Sequence, residues 1–502
     1  MKKWLAAVVL WSLGGLGLAQ TVTVGLDADP PNLDPLLSSA LVDRQVQNQI
    51  YDKLVDLDEN LRIVPMLATS WRVEEDGKVY VFNLRQGVKF HDGTDFNAEA
   101  VKFNLDRYRS APGSRRSGEL SLITNVQVVN PYTVRVTLRE PFAPFLAILS
   151  DRSGMMVSPT AVQKLGAEFG NNPVGTGPFK FVERRRQDRI VLARNENYWQ
   201  RGFPRIEQLI YRPFPDDDVR VANLLSGAVS IITPVAAKDL ATIRNNPNLT
   251  VNNFPGIGYQ GIWLNHTKGP FTNKALRQAF AATIDRDVVD RVVFLGTALP
   301  SNGPFPPGTL AYDKTIPVPR RDLALARQKL AEGGRPQGFS FTLTIAPGPV
   351  LAQLAQVYQA MAAEAGIQVR IEQVEFGTLL APPPPPPPRA AKLELEAVAV
   401  GWSGRPDPDG NIYDFVRCKA PNNYSGYCNP RVDNLLNRAR TVRLPEARRD
   451  LYSQITKIIQ EDLPYIYVYH PQTTIGVSRR LSGLPVIPDG ILRFRGVSLG
   501  GQ

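Results

Sequence analysis

Two different hydrophobic rhythms divide this chain, and no single core satisfies both. Up to about residue 170 short alternating runs dominate, such as VYVFNL at Val79–Leu84 and the later VQVVNPYTVRVTLREP, the period-two pattern of half-buried strands. From Phe271 the rhythm changes. FTNKALRQAFAATIDRDVVDRVVF and RRDLALARQKLAEGG read as helices, FSFTLTIAPG as a strand, and VLAQLAQVYQAMAAEAGIQVRIEQVEF as helix then strand. Helices alternating with strands mark an α/β lobe. A chain of 502 residues also exceeds what one core organises, so two or more lobes are expected.

Local signals place the elements. TVTVGL from Thr21 is a strand, the turn-forming DADPPNLDP follows it, and ALVDRQVQNQIYDKLVDLD has helical spacing. Trp71 to Glu74 pairs with Val79 to Leu84 through the EEDG turn, and Asn97 caps the next helix. ERRRQDR, at Glu183 to Arg189, reads as a solvated hairpin of mixed charge. Thr272 is the expected cap of the helix after Phe271, with a break near Asp285, and Pro445 opens a late helix. YIYVYHPQTTIGVS reads as one returning strand. The run Pro382 to Pro388 is compatible with neither helix nor ladder and is expected to be extended polyproline II.

The first residues, MKKWLAAVVLWSLGGLGLAQ, combine two lysines, a short apolar stretch and small residues before a cut near Gln20. That is an export leader, 1–19, too short to span a bilayer. No cysteine follows it to carry a lipid, so a free periplasmic protein is expected. Cys418 and Cys428, the two cysteines of the chain, flank a turn-rich segment and are expected to pair as a disulfide in that compartment. Two thiols without a nearby histidine make a poor zinc set. The formal charge of +11, about +9 once the leader is removed, is spread along the chain and suits an anionic ligand or surface rather than nucleic acid.

No catalytic signature emerges. The three histidines, His91, His266 and His470, are far apart in sequence, and no GxSxG or HExxH motif occurs. GTG at Gly175 to Gly177 is followed by Pro178 and a strand, not by the helix a phosphate-cradling loop needs. Asp407 and Asp409 lack the further acids of a calcium loop.

In order along the chain, DPPNLDP, LATSWRVEEDGKVYVFNLRQGVKFHDGTDFNAEAVKF, GTGPFKF, NENYW, FTNKALRQAFAATIDRD and GW…DPDG…NNYSGYCNPRVDNLL resemble the family 5 extracellular solute-binding proteins of ABC importers, the dipeptide and oligopeptide type. The resemblance covers nearly the whole mature chain. It implies a two-lobed α/β fold of the periplasmic-binding-protein kind, with a ligand cleft between the lobes and an extra strand-rich subdomain. Lobe I would take 20–46, 171–265 and 471–502, the extra subdomain 47–170, and lobe II 266–470. It also implies a monomer that captures peptides or peptide-like solutes without catalysis, cofactor or metal, and hands them to a membrane permease with its ATPase. Cys418 and Cys428 match a disulfide position of dipeptide-binding members.

The ligand question centres on GWSGRPDPDGNIY, Gly401 to Tyr413. In peptide-binding relatives this segment supplies an aspartate for the peptide's α-ammonium, and here that position is Arg405. A guanidinium repels an ammonium in a poorly screened cleft. Either Asp407 takes over the role, or the ligand offers Arg405 a carboxylate, phosphate or hydroxyls, or Arg405 faces solvent or pairs with Asp407 or Asp409. Trp402 is expected either to stack on the ligand or to anchor the lobe, and Ser403, Gly404, Asp409, Asn411 and Tyr424 complete this side. Asn32, Tyr259 and Gln260 are the candidates from the opposite lobe. A binder of opines or oligosaccharides, and a periplasmic hydrolase, are the competing functions.

Overall fold

The structure, a computed structural model, describes residues 20–374, 395–420 and 422–500. The leader at 1–19 and the proline run at 382–388 lie outside the described residues.

Three principal sheets carry the mixed α/β architecture. The first has seven strands in the order Leu249–Pro255, Gln472–Ser478, Ile231–Thr233, Thr21–Leu26, Gln208–Pro213, Arg189–Arg194 and Phe179–Arg185. The second has six, in the order Leu299–Pro300, Tyr465–His470, Tyr259–Leu264, Ala397–Trp402, Ser340–Ile345 and Gln368–Gln373. The third is an antiparallel four-stranded sheet built from residues 68–138. Each sheet covers its own apolar cluster, around Val24 and Leu209 in the first, Phe280 and Leu343 in the second, and Phe82 and Val136 in the third. Separate cores are what the two sequence rhythms require.

The chain passes between the two large sheets at residues 256–258 and again at Pro471. YIYVYHPQTTIGVS is therefore not one strand. Tyr465–His470 belongs to the six-stranded sheet and Gln472–Ser478 to the seven-stranded sheet, because Pro471 has no amide hydrogen with which to continue a ladder. The two passages are laced together: the Gly256 amide donates to Pro471 O at 3.1 Å, and the His470 ring donates from Nδ1 to Gly258 O at 2.9 Å. Burial pushes His470 down to about 4, so it is neutral at physiological pH.

Other local expectations are met or displaced by a residue. Asn97 Oδ1 accepts from the Ala100 amide and caps Ala98–Ser110. After Phe271 the cap is Asn273, not Thr272: Asn273 Oδ1 accepts from Ala275 N at 2.9 Å, while Thr272 closes a preceding single turn. Asp285 does mark a break, between helices Lys274–Thr283 and Arg286–Val289. The glycines of GTG serve close packing, since a β-carbon on Gly175 would stand 2.3 Å from Ile50 O and one on Gly177 2.5 Å from Gln49 O. Cys418 and Cys428 form a disulfide.

Candidate functional site

Strand Ala397–Trp402 ends in a turn that leads into helix Asp409–Val416. One buried side chain organises that turn. Asn411 Oδ1 accepts from Trp402 Nε1 at 3.0 Å and from the Arg405 amide at 2.7 Å, while its Nδ2 donates to Arg405 O at 3.0 Å. Tyr259, buried in the neighbouring strand, donates from its hydroxyl to Asn411 O. Gly404 has φ +82°, and a β-carbon on it would lie 2.2 Å from Ile257 O in the first passage between the sheets. A Gly404→Ala variant is therefore expected to lose stability by more than the roughly 1–3 kcal/mol of backbone strain alone, a loss measurable by urea unfolding.

Arg405 leaves this turn lying over the Trp402 ring, its guanidinium carbon 4.4 Å from the centroid, with Nη1 donating to Gly404 O at 2.8 Å. Its Nε stands 4.0 Å from Asp151 Oδ2, across the gap from the side that carries the four-stranded sheet. Asp151 also meets Arg44 at 3.2 Å and Arg152 at 3.7 Å. Arg116 adjoins them, sharing the Ser38 carbonyl with Arg152 and donating to Glu119 at 2.8 Å. Burial pushes the Asp151 carboxyl up, but the guanidiniums of Arg44, Arg152 and Arg405 outweigh it and hold it well below the usual carboxylate range. Desolvation in turn lowers Arg405 to about 10, against the pull of Asp151, so it stays charged at neutral pH.

Arg405 thus neither faces open solvent nor pairs with Asp407 or Asp409. Asp407 receives a bidentate contact from Arg448, at 2.7 and 2.8 Å, and also accepts from the Asp409 amide at 2.9 Å. Both its oxygens are engaged inside the lobe, which argues against a substitute role for an incoming ammonium. Asp409 is buried beside Arg440, 3.1 Å away. Burial pushes its carboxyl up to about 7 despite that neighbour. An unfolded aspartate ionises near pH 4, so between about pH 4 and 7 the folded form holds a proton that the unfolded form has lost. Stability is expected to decline over that window as pH rises, and Asp409→Asn to flatten the slope, read by urea unfolding at several pH values.

The remaining candidates scatter. Tyr259 and Gln260 do not stand across from Trp402: they are its neighbours in one sheet, with Tyr259 paired to Trp402 and Gln260 to Gly401. The physical reason is the passage at 256–258, which falls before them. Gln260 lies over Gly401, its buried Oε1 without a hydrogen-bond partner among the described residues. Asn32 is across the gap, but its Oδ1 accepts from the Asp34 amide at 2.8 Å and shapes its own loop. Tyr424 stacks on Trp263 at 4.3 Å. Trp263 pairs with Val398, four positions from Trp402 and so about 13 Å along the strand. Ser403 is exposed at the strand end.

Sequence reasoning missed Arg44, Arg116, Asp151 and Arg152. Their setting is visible only in the fold: helix Leu41–Ile50 has Asp43, Arg44, Gln45, Gln47 and Gln49 among its buried residues. A helix that buries so many polar groups is organising something other than a core. The surrounding topology makes a cleft. Thr21–Leu26, Gln208–Pro213 and Ile231–Thr233 run parallel, as do Ser340–Ile345 and Ala397–Trp402. The carboxyl ends of both sets face a common gap, a cavity of ≈ 800 Å³ lined by Asp27, Pro215 and Pro234 from one sheet's loops and by Pro347 and Leu351 from the other's, and closed by Pro471. Trp402 to Arg405 lies on that same edge of the six-stranded sheet. Ligands of α/β sheets bind outside the carboxyl ends of the strands.

Two unequal α/β sheets facing each other across a cavity, joined by adjacent chain passages, define a two-lobed binding protein. The chain belongs to the bacterial extracellular solute-binding proteins, family 5, whose model matches residues 62–423. It is 32% identical over 498 residues to the glutathione-binding protein GsiB of Salmonella typhi, an alignment covering 97% of this chain and 96% of that protein. Among solved structures it is similar to the ABC transporter-associated periplasmic binding protein DppA from Helicobacter pylori in complex with the peptide STSA, with TM-score 0.84, 28% identity and coverage of 96% and 98%. It is also similar to AgaA from A. tumefacien R10 in complex with agropinic acid, with TM-score 0.82, 26% identity and coverage of 96% and 99%. Members of the family are binding proteins, and among the described residues no helix is long and apolar enough to cross a membrane.

Proposed function

We propose that this protein is the periplasmic, soluble and monomeric capture component of an ABC importer, closing its lobes on a peptide or peptide-like solute and presenting it to a permease and its ATPase. The observation that carries this reading is the ≈ 800 Å³ cavity between facing carboxyl edges of the two large sheets, a volume within the usual range for small-molecule sites. The glutathione-binding and peptide-bound relatives support the solute class. Capture rests on differential affinity: the solute stabilises the closed arrangement and contributes nothing covalent. No nucleic-acid partner is part of this function.

A second reading, a non-peptide anionic solute such as an opine in the same transport role, is favoured by Arg405 standing where a peptide binder has its aspartate. Calorimetry with dipeptides, tripeptides, glutathione, opines and oligosaccharides decides between them. Saturation at 100 times Kd is expected to stabilise the fold by about 2.7 kcal/mol. Cleavage of a peptide or ester by the purified protein, without such stabilisation, would instead make it a hydrolase.

A further inference from the structure

Around Asp151 the cationic groups outnumber the acids. Four guanidiniums, Arg44, Arg116, Arg152 and Arg405, converge on Asp151 and Glu119, with Asp43 adjoining and occupied by the Asn32 and Ala40 amides. Arg44 is 3% exposed and Arg152 1%. The Arg44 and Arg152 Nε atoms face Asp151 Oδ1, at 3.2 and 3.7 Å, as ion pairs and not as hydrogen bonds, the Arg116 Nε is buried without an acceptor, and the Arg44 guanidinium makes no hydrogen bond among the described residues. Arg405 is 20% exposed, and its Nε approaches Asp151 at the outer limit of an ion pair. Buried donors left without acceptors cost free energy unless another group satisfies them.

We propose that Arg44 and Arg405, backed by Arg152, form the anion-binding end of the cleft and take a carboxylate of the solute, with Asp151 holding the guanidiniums together before it arrives. This rests on the solute-binding reading above and adds a polarity to it. The two main arginines come from opposite sides of the gap, Arg44 from helix Leu41–Ile50 and Arg405 from the turn after Trp402, so a carboxylate between them ties the lobes. Trp402, beneath Arg405, fixes the plane in which that guanidinium is offered. A peptide held here by its carboxylate lies end for end relative to one held at this turn by its ammonium.

The test is calorimetry with matched probes: Met-Leu against Met-Leu-amide, which isolates the carboxyl terminus, and glutathione against its diethyl ester, which removes both carboxylates. The unmodified protein is expected to favour the free acid of at least one pair by about 10- to 100-fold, the range of a charge-assisted hydrogen-bond pair. Arg405→Gln is expected to erase most of that preference, and Arg405→Lys to retain part of it. Equal binding of acid and blocked probe by the unmodified protein, or an undiminished preference in Arg405→Gln, overturns the anion end but leaves a peptide binder. Failure of the unmodified protein to bind any of the four probes overturns both readings.

Discussion

Replacing Asp151 by asparagine is expected to lower the unfolding free energy by about 3–5 kcal/mol, because it leaves buried arginines without their shared counter-charge. Asp151 touches Arg44 and Arg152 and stands at ion-pair distance from Arg405, all within a region its side chain barely exposes. The depressed ionisation of this carboxyl sets the pH behaviour. A carboxylate held below its unfolded value contributes fully above about pH 4 and loses that contribution only as pH falls towards its folded value. The difference between the parent and Asp151→Asn in urea unfolding is thus expected to be constant from pH 5 to 8 and to shrink below pH 4. A loss under 1 kcal/mol at pH 7 would mean that the cluster is not held by its acid.

The second large effect is expected at Asp407. Its two oxygens clamp Arg448, whose Nε also donates to Ala439 O, so the pair ties the turn after Trp402 to both late helices, Pro430–Thr441 and Pro445–Asp462. Asp407→Asn leaves a buried guanidinium half satisfied, at a cost of about 3–5 kcal/mol. Urea unfolding reads it directly. Were Asp407 a solute contact instead, the variant would lose binding while keeping its unfolding midpoint.

Much of this architecture is legible in the sequence because it is local. Period-two runs and amphipathic helices depend on neighbours a few residues away, and those elements form where the pattern puts them. The membership of strands in sheets is not local. Tyr259–Leu264 alternates no differently whichever sheet it joins, so the pattern does not tell that Tyr259 stands on the same side of the gap as Trp402. YIYVYHPQTTIGVS has an unbroken strand-like composition, and only Pro471 hints that its halves diverge. The cap at Asn273 rather than Thr272 is a choice between two residue types that both cap, decided by which amide is within reach. At the site, Arg405 is visible as a cation where an acid is expected, but its counter-ion is not. Asp151 belongs to a different part of the chain, and nothing in DRSG announces what it faces. Arg44 is hidden for another reason: helical periodicity treats a charged residue as solvent-facing, and here the charged face is covered.

The strands on either side of Pro471 also govern the order in which the molecule can assemble. Gln472–Ser478 lies inside the seven-stranded sheet, between Leu249–Pro255 and Ile231–Thr233, and Tyr465–His470 lies inside the six-stranded sheet, between Leu299–Pro300 and Tyr259–Leu264. Neither large sheet is continuous until residues 465–478 have arrived, whereas the four-stranded sheet draws only on residues 68–138. A chain made amino end first would therefore complete its small sheet early and keep both jaws unfinished until residues 465–478 were in place, so that the cleft comes into being only after them.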